Sequence, residues 1–166
     1  ASWGERIKPH VLELPVQFMN CHPSLLPRYR GANPYVETIL AGETESGLTF
    51  HLVSEDIDAG DILLQHSVPI LPGDTGGSLR ARCANEATQL TQKLIDTYCS
   101  EDGLLPQPQA LETASYFKPL QLEDGLLNWQ DDPEYLARKV RAYLPWIPCY
   151  NFINGKWLIS FTTLSV

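Results

Sequence analysis

The sequence predicts an α/β fold, and three observations predict it. Short apolar runs over 16–20 (PVQFM leading to Asn20), 47–53 (GLTFHLV) and 61 to about 70 (DILLQHSVPI) have the length and residue types of strands. From about Thr75 to Cys99, apolar Leu79, Cys83, Ala87, Leu90, Leu94 and Tyr98 recur at steps of four and three, which sets them on one face of a long helix. The order strand, loop, helix, strand pair, long helix is that of one part of an α/β domain. These elements are too few to cover both faces of a parallel sheet. Further strands are therefore expected in front, and a small β domain is expected to be unfinished behind.

Residues 5 to 15 carry turn or short-helix composition ending at Pro15. The first strand then empties into a polar stretch, NCHPSLLPRYRGANP, residues 20 to 34. Asn33 and Pro34 start a helix, asparagine as N-cap and proline at the first helical position, and Gly42 stands where a C-terminal glycine belongs. In the second strand Leu48, Phe50 and Leu52 alternate with Thr49, His51 and Val53. GDTGG, residues 73 to 77, offers Thr75 as cap of the long helix; a phosphate at that helix end is the alternative, though no Walker lysine is present. Residues 100 to 120, with PQPQ in the middle, read as a linker. Asp132-Pro133 starts a helix through Leu144, with Leu136, Val140, Tyr143 and Leu144 on one side. Arg138, Lys139 and Arg141 are its dense basic group, either its solvent face or a nucleic-acid contact. Asn154-Gly155 between two strand-like runs predicts a type I′ hairpin.

Composition narrows the function classes. The 43% hydrophobic and 19% charged content is that of a globular protein, and no apolar run approaches the roughly 18–20 residues of a bilayer span. No signal peptide opens the chain, so a cytoplasmic protein without a membrane partner is expected. Cys21, Cys83, Cys99 and Cys149 lie far apart with no CxxC pair, which suggests neither a disulfide framework nor a zinc site. The net charge of −8 disfavours extended contact with a phosphate backbone.

The polar stretch carries the chemistry. Side chains two apart on a strand point to one side, so Asn20 and His22 present an amide and an imidazole in the same direction. Asp58 belongs to IDAGD, where Gly60 permits a tight turn, and is expected to reach His22; a structural role in that turn is the competing reading. An aspartate beside a histidine favours imidazolium, which can donate to a developing oxyanion together with the asparagine amide. With water or the carboxylate taking the proton of an attacking amine, the set suits acyl transfer to nitrogen, with neither an acyl-enzyme nor a metal. Ser24 and Thr49 lack the GxSxG setting of a hydrolase nucleophile. His51 either looks toward the site or is a half-buried strand histidine, and His10 and His66 read as surface residues. Arg28 and Arg30 either hold an anionic substrate or form a solvated loop pair.

NCHPSLLPRYRGANP together with GLTFHLVSEDIDAGDILLQ resembles the signature of the folate-dependent formyltransferases. Members of that family formylate methionyl-tRNA, glycinamide ribonucleotide or amino sugars, or hydrolyse formyltetrahydrofolate. The resemblance implies a Rossmann-like catalytic domain with Asn20, His22 and Asp58 as catalytic triad, and a folate bordered by Ser24, Leu25, Leu26 and Pro27. It also implies 10-formyltetrahydrofolate as formyl donor and a primary amine as acceptor. The tail, with Leu127-Asn128-Trp129, Arg141-Ala142 and Pro145-Trp146, resembles the region leading into a small OB-like barrel in members acting on methionyl-tRNA; many members carry aspartate where Asn128 stands. The resemblance thus favours the α-amine of methionyl-tRNA, with amino-sugar nucleotides or water as rival acceptors and an incomplete, inactive module as the non-enzymatic reading. The expected organisation is the C-terminal half of a catalytic domain over 1–103, a linker over 104–124, and the start of an OB-like domain over 125–166.

Overall fold

The structure, a computed structural model, describes residues 7–100 and 103–160. A one-turn helix α1 (Pro9–Leu12) leads to strand β1 (Met19–His22), a two-residue strand β2 (Arg30–Gly31) and helix α2 (Pro34–Ala41). Strands β3 (Glu45–Leu52) and β4 (Ile62–Pro69) precede the long helix α3 (Gly76–Tyr98). A second two-residue strand β5 (Tyr116–Phe117), helix α4 (Pro133–Tyr143) and the strands β6 (Cys149–Ile153) and β7 (Lys156–Ser160) complete the described chain. β1, β3 and β4 form one sheet with β3 in the middle. Both pairings are antiparallel, not parallel as the sequence suggested. β4 follows β3 after a single turn, and a chain that doubles back so soon pairs antiparallel.

The first strand starts later than 16–20. Its partner sets the limit: Met19 lies opposite Leu52, the last residue of β3, so the residues before it have little left to pair with. Asn20 and His22 consequently sit inside β1 and not in a loop beyond it. In the register Asn20 faces His51 and His22 faces Thr49, which puts all four on one surface of the sheet, while Cys21 and Phe50 face each other on the other.

Those two surfaces differ in kind. On the apolar one, Leu48 and Val68 join Val36 and Ile39 of α2, Leu79 and Cys83 of α3, and Val140, Ala142 and Tyr143 of α4 in one buried cluster. Alternation along β3 is present, yet Thr49 and His51 are as buried as their apolar neighbours. The reason is that the site loop lies on them. Thr49 donates to the Ser24 carbonyl at 2.6 Å and accepts from the Leu26 amide at 3.1 Å.

Helix ends follow the predicted positions with one exception of mechanism. Thr75 and Ser78 form a reciprocal capping box on α3, and Asp132 accepts the Glu134 and Tyr135 amides at the start of α4. Asn33 precedes Pro34 as expected but makes no side-chain cap; it takes a left-handed conformation, φ 58°, that redirects the chain out of β2. Leu79, Cys83 and Leu94 of α3 are buried, whereas Tyr98 is exposed and donates to Gln17 Oε1 at 3.0 Å. The N-terminus of α3 holds no room for a phosphate reading, since the Gly77 amide donates to the Leu144 carbonyl at 2.9 Å.

Residues 104–124 are not a free spacer. Gln107 exchanges backbone hydrogen bonds of 2.8 Å with Ile62, and β5 pairs in parallel with β2. Leu127 and Cys149 belong to the same core cluster as α2 and α3, so residues 125–149 pack onto the first fold unit. Where the start of an OB-like domain was expected, the described residues hold the β6–β7 hairpin, whose Asn154-Gly155 turn has the two positive φ values, 50° and 74°, that a type I′ turn requires.

The polar anchor of this packing is Asp74, which receives Arg82 through two hydrogen bonds of 2.6 and 2.8 Å, Ser78 at 2.7 Å and the Leu71 amide at 2.7 Å. Burial works to raise its pKa, but these donors outweigh it and hold the carboxyl at about 2. A depressed carboxyl stabilises the fold above its ordinary value of 3.8, and the contribution fades as pH falls toward 2. Asp74→Asn is expected to lower unfolding free energy by about 2 kcal/mol at pH 7, with the gap to wild type narrowing in urea titrations taken from pH 5 downward.

Candidate active site

β1 and the β3–β4 turn build the site between them. Asn20 and His22 project from one side of β1, His51 projects beside Asn20 from β3, and Asp58 rises from the turn that follows β3. Asp58 holds φ 52°, a left-handed conformation costly for a residue with a Cβ and kept only where its surroundings enforce it. Gly60 gives the turn its tightness: a Cβ there would lie 1.9 Å from the Leu52 carbonyl oxygen.

The Asp58 carboxylate is the meeting point. Oδ2 lies 3.4 Å from His22 Nδ1 and accepts the Gly31 amide at 2.9 Å. Oδ1 lies 3.4 Å from Asn20 Nδ2 and 3.6 Å from His51 Nε2. The two imidazoles are oriented from behind by carbonyls. A carbonyl only accepts, so the 2.8 Å contact of His22 Nε2 with the Tyr29 carbonyl places a proton on Nε2. In the same way His51 Nδ1 donates to the Leu52 carbonyl at 2.8 Å, leaving Nε2 to accept from Asn20 Nδ2 at 3.3 Å.

Burial sets the charges. His22 is 5% exposed, and desolvation pulls its pKa below the ordinary 6.5; the nearby Asp58 charge and the Tyr29 carbonyl oppose this, and His51 adds to it. Burial thus opposes the imidazolium that an aspartate neighbour alone would favour. For Asp58 burial again works upward, but the His51 contact, the His22 ring and the Gly31 amide together bring its carboxyl below the ordinary value. The His22 ring thus faces an ionised carboxylate across 3.4 Å, from Nδ1 to Oδ2.

Around these groups runs a cleft of about 630 Å³. Asn20, His22, His51 and Asp58 line it together with apolar Phe18, Val53, Ile57 and Pro119, with Tyr116, and with the polar run Ser54, Glu55 and Asp56. The structure brings Asn20, His22 and Asp58 together. It does not bring Ser24, Leu25, Leu26 or Pro27 to this cleft. Ser24 and Leu26 are buried; Ser24 Oγ donates to the Arg28 carbonyl at 2.7 Å, and the Leu26 carbonyl accepts Gln65 Nε2 at 2.6 Å. Their polar groups are consumed in seating the loop that carries Tyr29 over the sheet. Arg28, an exposed side chain, pairs with Glu43, and the half-buried Arg30 bonds to Gln109, so each cation has a partner within the chain.

His51, with an open role in the sequence, is a member of the site; its register opposite Asn20 was the signal. Gly31 and Gln109 carried none. Gly31 supplies its amide to Asp58 at φ 88°, and a Cβ on it would meet the Phe117 carbonyl oxygen at 2.3 Å. Among the described residues no cluster of three His, Cys, Asp or Glu is set to hold a metal ion, and no helix is long and apolar enough to cross a membrane.

An α/β fold that presents amide, imidazole and carboxylate to one cleft holds groups suited to acyl transfer without a serine or cysteine nucleophile. The model of the formyl transferase family matches residues 1–95, and the chain belongs to that family. It is 37% identical over its whole length to methionyl-tRNA formyltransferase of Syntrophus aciditrophicus, of which it covers 53%. An N-formyltransferase from Helicobacter canadensis, solved with folinic acid and dTDP-3-aminofucose, superposes with a TM-score of 0.70 at 27% identity over 76% of this chain and 47% of that one. A 4-N formyltransferase from Francisella tularensis shares the fold with a TM-score of 0.81 at 22% identity, over 98% of this chain and 68% of that one. The chain spans about half the length of the curated relatives it matches.

Because His22 has a folded pKa below its unfolded value, the unfolded chain takes up a proton first as pH falls through 6.5. Stability is thus expected to drop below that pH, and His22→Gln is expected to flatten this part of the profile in chemical denaturation at pH 7, 6 and 5.

Proposed function

We propose that this chain carries the catalytic groups of an enzyme that moves the formyl group of 10-formyltetrahydrofolate onto a primary amine, the α-amine of methionyl-tRNA being the acceptor. Family membership and the name of the 37% identical relative support the reaction and the acceptor. The observation that carries the reading is the convergence of Asn20, His22, His51 and the Gly31 amide on one carboxylate in one cleft.

The geometry assigns roles that differ in one respect from the sequence expectation. Asn20 is the exposed donor of the set; its amide, held at 3.3 Å from His51 Nε2 and 3.4 Å from Asp58 Oδ1, exchanges one of these long contacts for the oxyanion that forms when the amine attacks the formyl carbon. His22 does not share that task, because Nε2–H is spent on the Tyr29 carbonyl and Nδ1 faces Asp58. Instead His22 and Asp58 act as one proton acceptor. The attacking amine loses its proton to the space between Nδ1 and Oδ2, directly or through water, and the imidazolium so formed is neutralised by the carboxylate. Collapse of the tetrahedral intermediate breaks the bond from the formyl carbon to N10 of the folate, and the pair returns its proton to N10. No covalent enzyme intermediate is formed. Folate binding is assigned to the cleft walls of Phe18, Val53, Ile57 and Tyr116, with Ser24 to Pro27 acting through the loop they seat.

An amino-sugar nucleotide is the second reading of the acceptor, favoured by the likeness to the Helicobacter canadensis enzyme. Assay of the complete chain with 10-formyltetrahydrofolate against charged initiator tRNA and against amino-sugar nucleotides decides between them; formylation of the sugar alone overturns the first. Asn20→Ala, His22→Ala and Asp58→Asn are each expected to lower kcat by about 100-fold or more while the protein stays folded by circular dichroism. Wild-type turnover in Asp58→Asn removes the mechanism.

A further inference from the structure

We infer that Gln109 is a positioning residue of this site: its side-chain amide locks the Asp58 turn to the 28–31 loop and so keeps the carboxylate where Asn20, His22 and His51 meet it. The geometry stands by itself, and what it does for turnover rests on the formyl-transfer reading.

Gln109 is a polar side chain only 8% exposed, and every hydrogen-bonding position of its amide is filled. Nε2 donates to the carbonyls of Asp58 at 2.9 Å and Gly60 at 2.7 Å. Oε1 accepts from Arg30 Nε at 3.1 Å and Nη2 at 2.6 Å. An amide has two donors and two acceptor sites, so none remains for substrate or solvent. The four bonds run to two segments, and both end on the same carboxylate. One is the turn whose backbone carries Asp58. The other is β2, where Gly31, next to Arg30, donates its amide to Asp58 Oδ2.

Both segments need such a brace. Asp58 sits at positive φ, which neighbouring structure must enforce. The 28–31 loop orients His22 through the Tyr29 carbonyl, and Tyr29 itself is tied to Ser115 Oγ at 2.8 Å. Gln109 is anchored on either side, by the Gln107–Ile62 bridge before it and the β5–β2 pairing after it. A carboxylate of the same length could not replace the amide, because it would face two carbonyl oxygens with no proton to give.

The test compares wild type, Gln109→Met, Asp58→Asn and the double variant in the complete chain, reading formyl-transfer kinetics and the NMR titration of the His22 ring. Gln109→Met keeps length and loses all four bonds. It is expected to lower kcat by about 10- to 100-fold with the folate KM within about twofold, and to move the His22 midpoint to lower pH, as Asp58→Asn does by removing the charge that supports imidazolium. In the Asp58→Asn background it is expected to add nothing to either quantity. A Gln109→Met protein with wild-type kcat and His22 midpoint, or losses that simply multiply in the double variant, overturns the inference even if melting temperature falls. Should Gln109→Met fail to fold, Arg30→Met cuts the same bridge at its other end, and an unmoved His22 midpoint there overturns it equally. If instead wild type transfers no formyl group, or Asp58→Asn transfers it normally, the functional reading fails while the titration still decides the positioning role.

Discussion

One carboxylate, that of Asp58, is the constraint on which the rest depends. It is largely buried, and a charge in that position persists only where donors replace the lost water. Here the partners come from three separate places: Asn20 of β1, which donates, the ring of His51 on β3, which lies 3.6 Å away, and the donating backbone amide of Gly31. None is local to the turn. The chain must therefore pair β1 with β3 in one register and close β2 over the sheet before Asp58 can be held ionised. Slipping β1 by one residue against β3 would turn Asn20 and His22 to the face opposite His51.

This explains why the sheet has two unlike surfaces. The helix-facing surface is filled by Leu48, Val68 and their neighbours, whose burial supplies the main favourable term for folding. The other is polar and almost as dry: Thr49, His51 and Ser24 have little or no contact with solvent. Buried polar groups of this kind are tolerated because each is hydrogen-bonded, and the partners are mostly carbonyls and amides of the covering loops. The covering loops are in turn short of regular structure, so their own backbone groups need side-chain partners such as Gln65, Gln109 and Ser115. Residues 107–117 supply two of these partners and run as a strap fastened to the site.

The basic residues of α4 bear on what the fold offers a nucleic acid. Arg138 donates to the Leu40 carbonyl at 3.3 Å and Lys139 to the Leu126 carbonyl at 2.7 Å, where both help dock α4 and the segment before it. Loss of either charge would weaken packing together with any phosphate contact, so an effect on tRNA binding has to be separated from an effect on fold.

The amino-acid sequence by itself determined the elements and the chemistry. Hydrophobic period located β3, β4, α3 and α4 to within a few residues; capping residues located the starts of α3 and α4; Asn154-Gly155 located the hairpin turn. These are local properties, read from neighbours in the chain. The pairing of Asn20 and His22 on one strand side, and the family likeness carried by the two motifs, were legible for the same reason. Tertiary structure alone decided the start of β1, the antiparallel sheet, the burial of His22, and the contacts that residues 107–117 make with the site. Each depends on a partner tens of residues away: Leu52 for β1, the covering loop for His22, Asp58 and Arg30 for Gln109. Burial and hydrogen-bond satisfaction are sums over spatial neighbours, and no spacing within the chain encodes them.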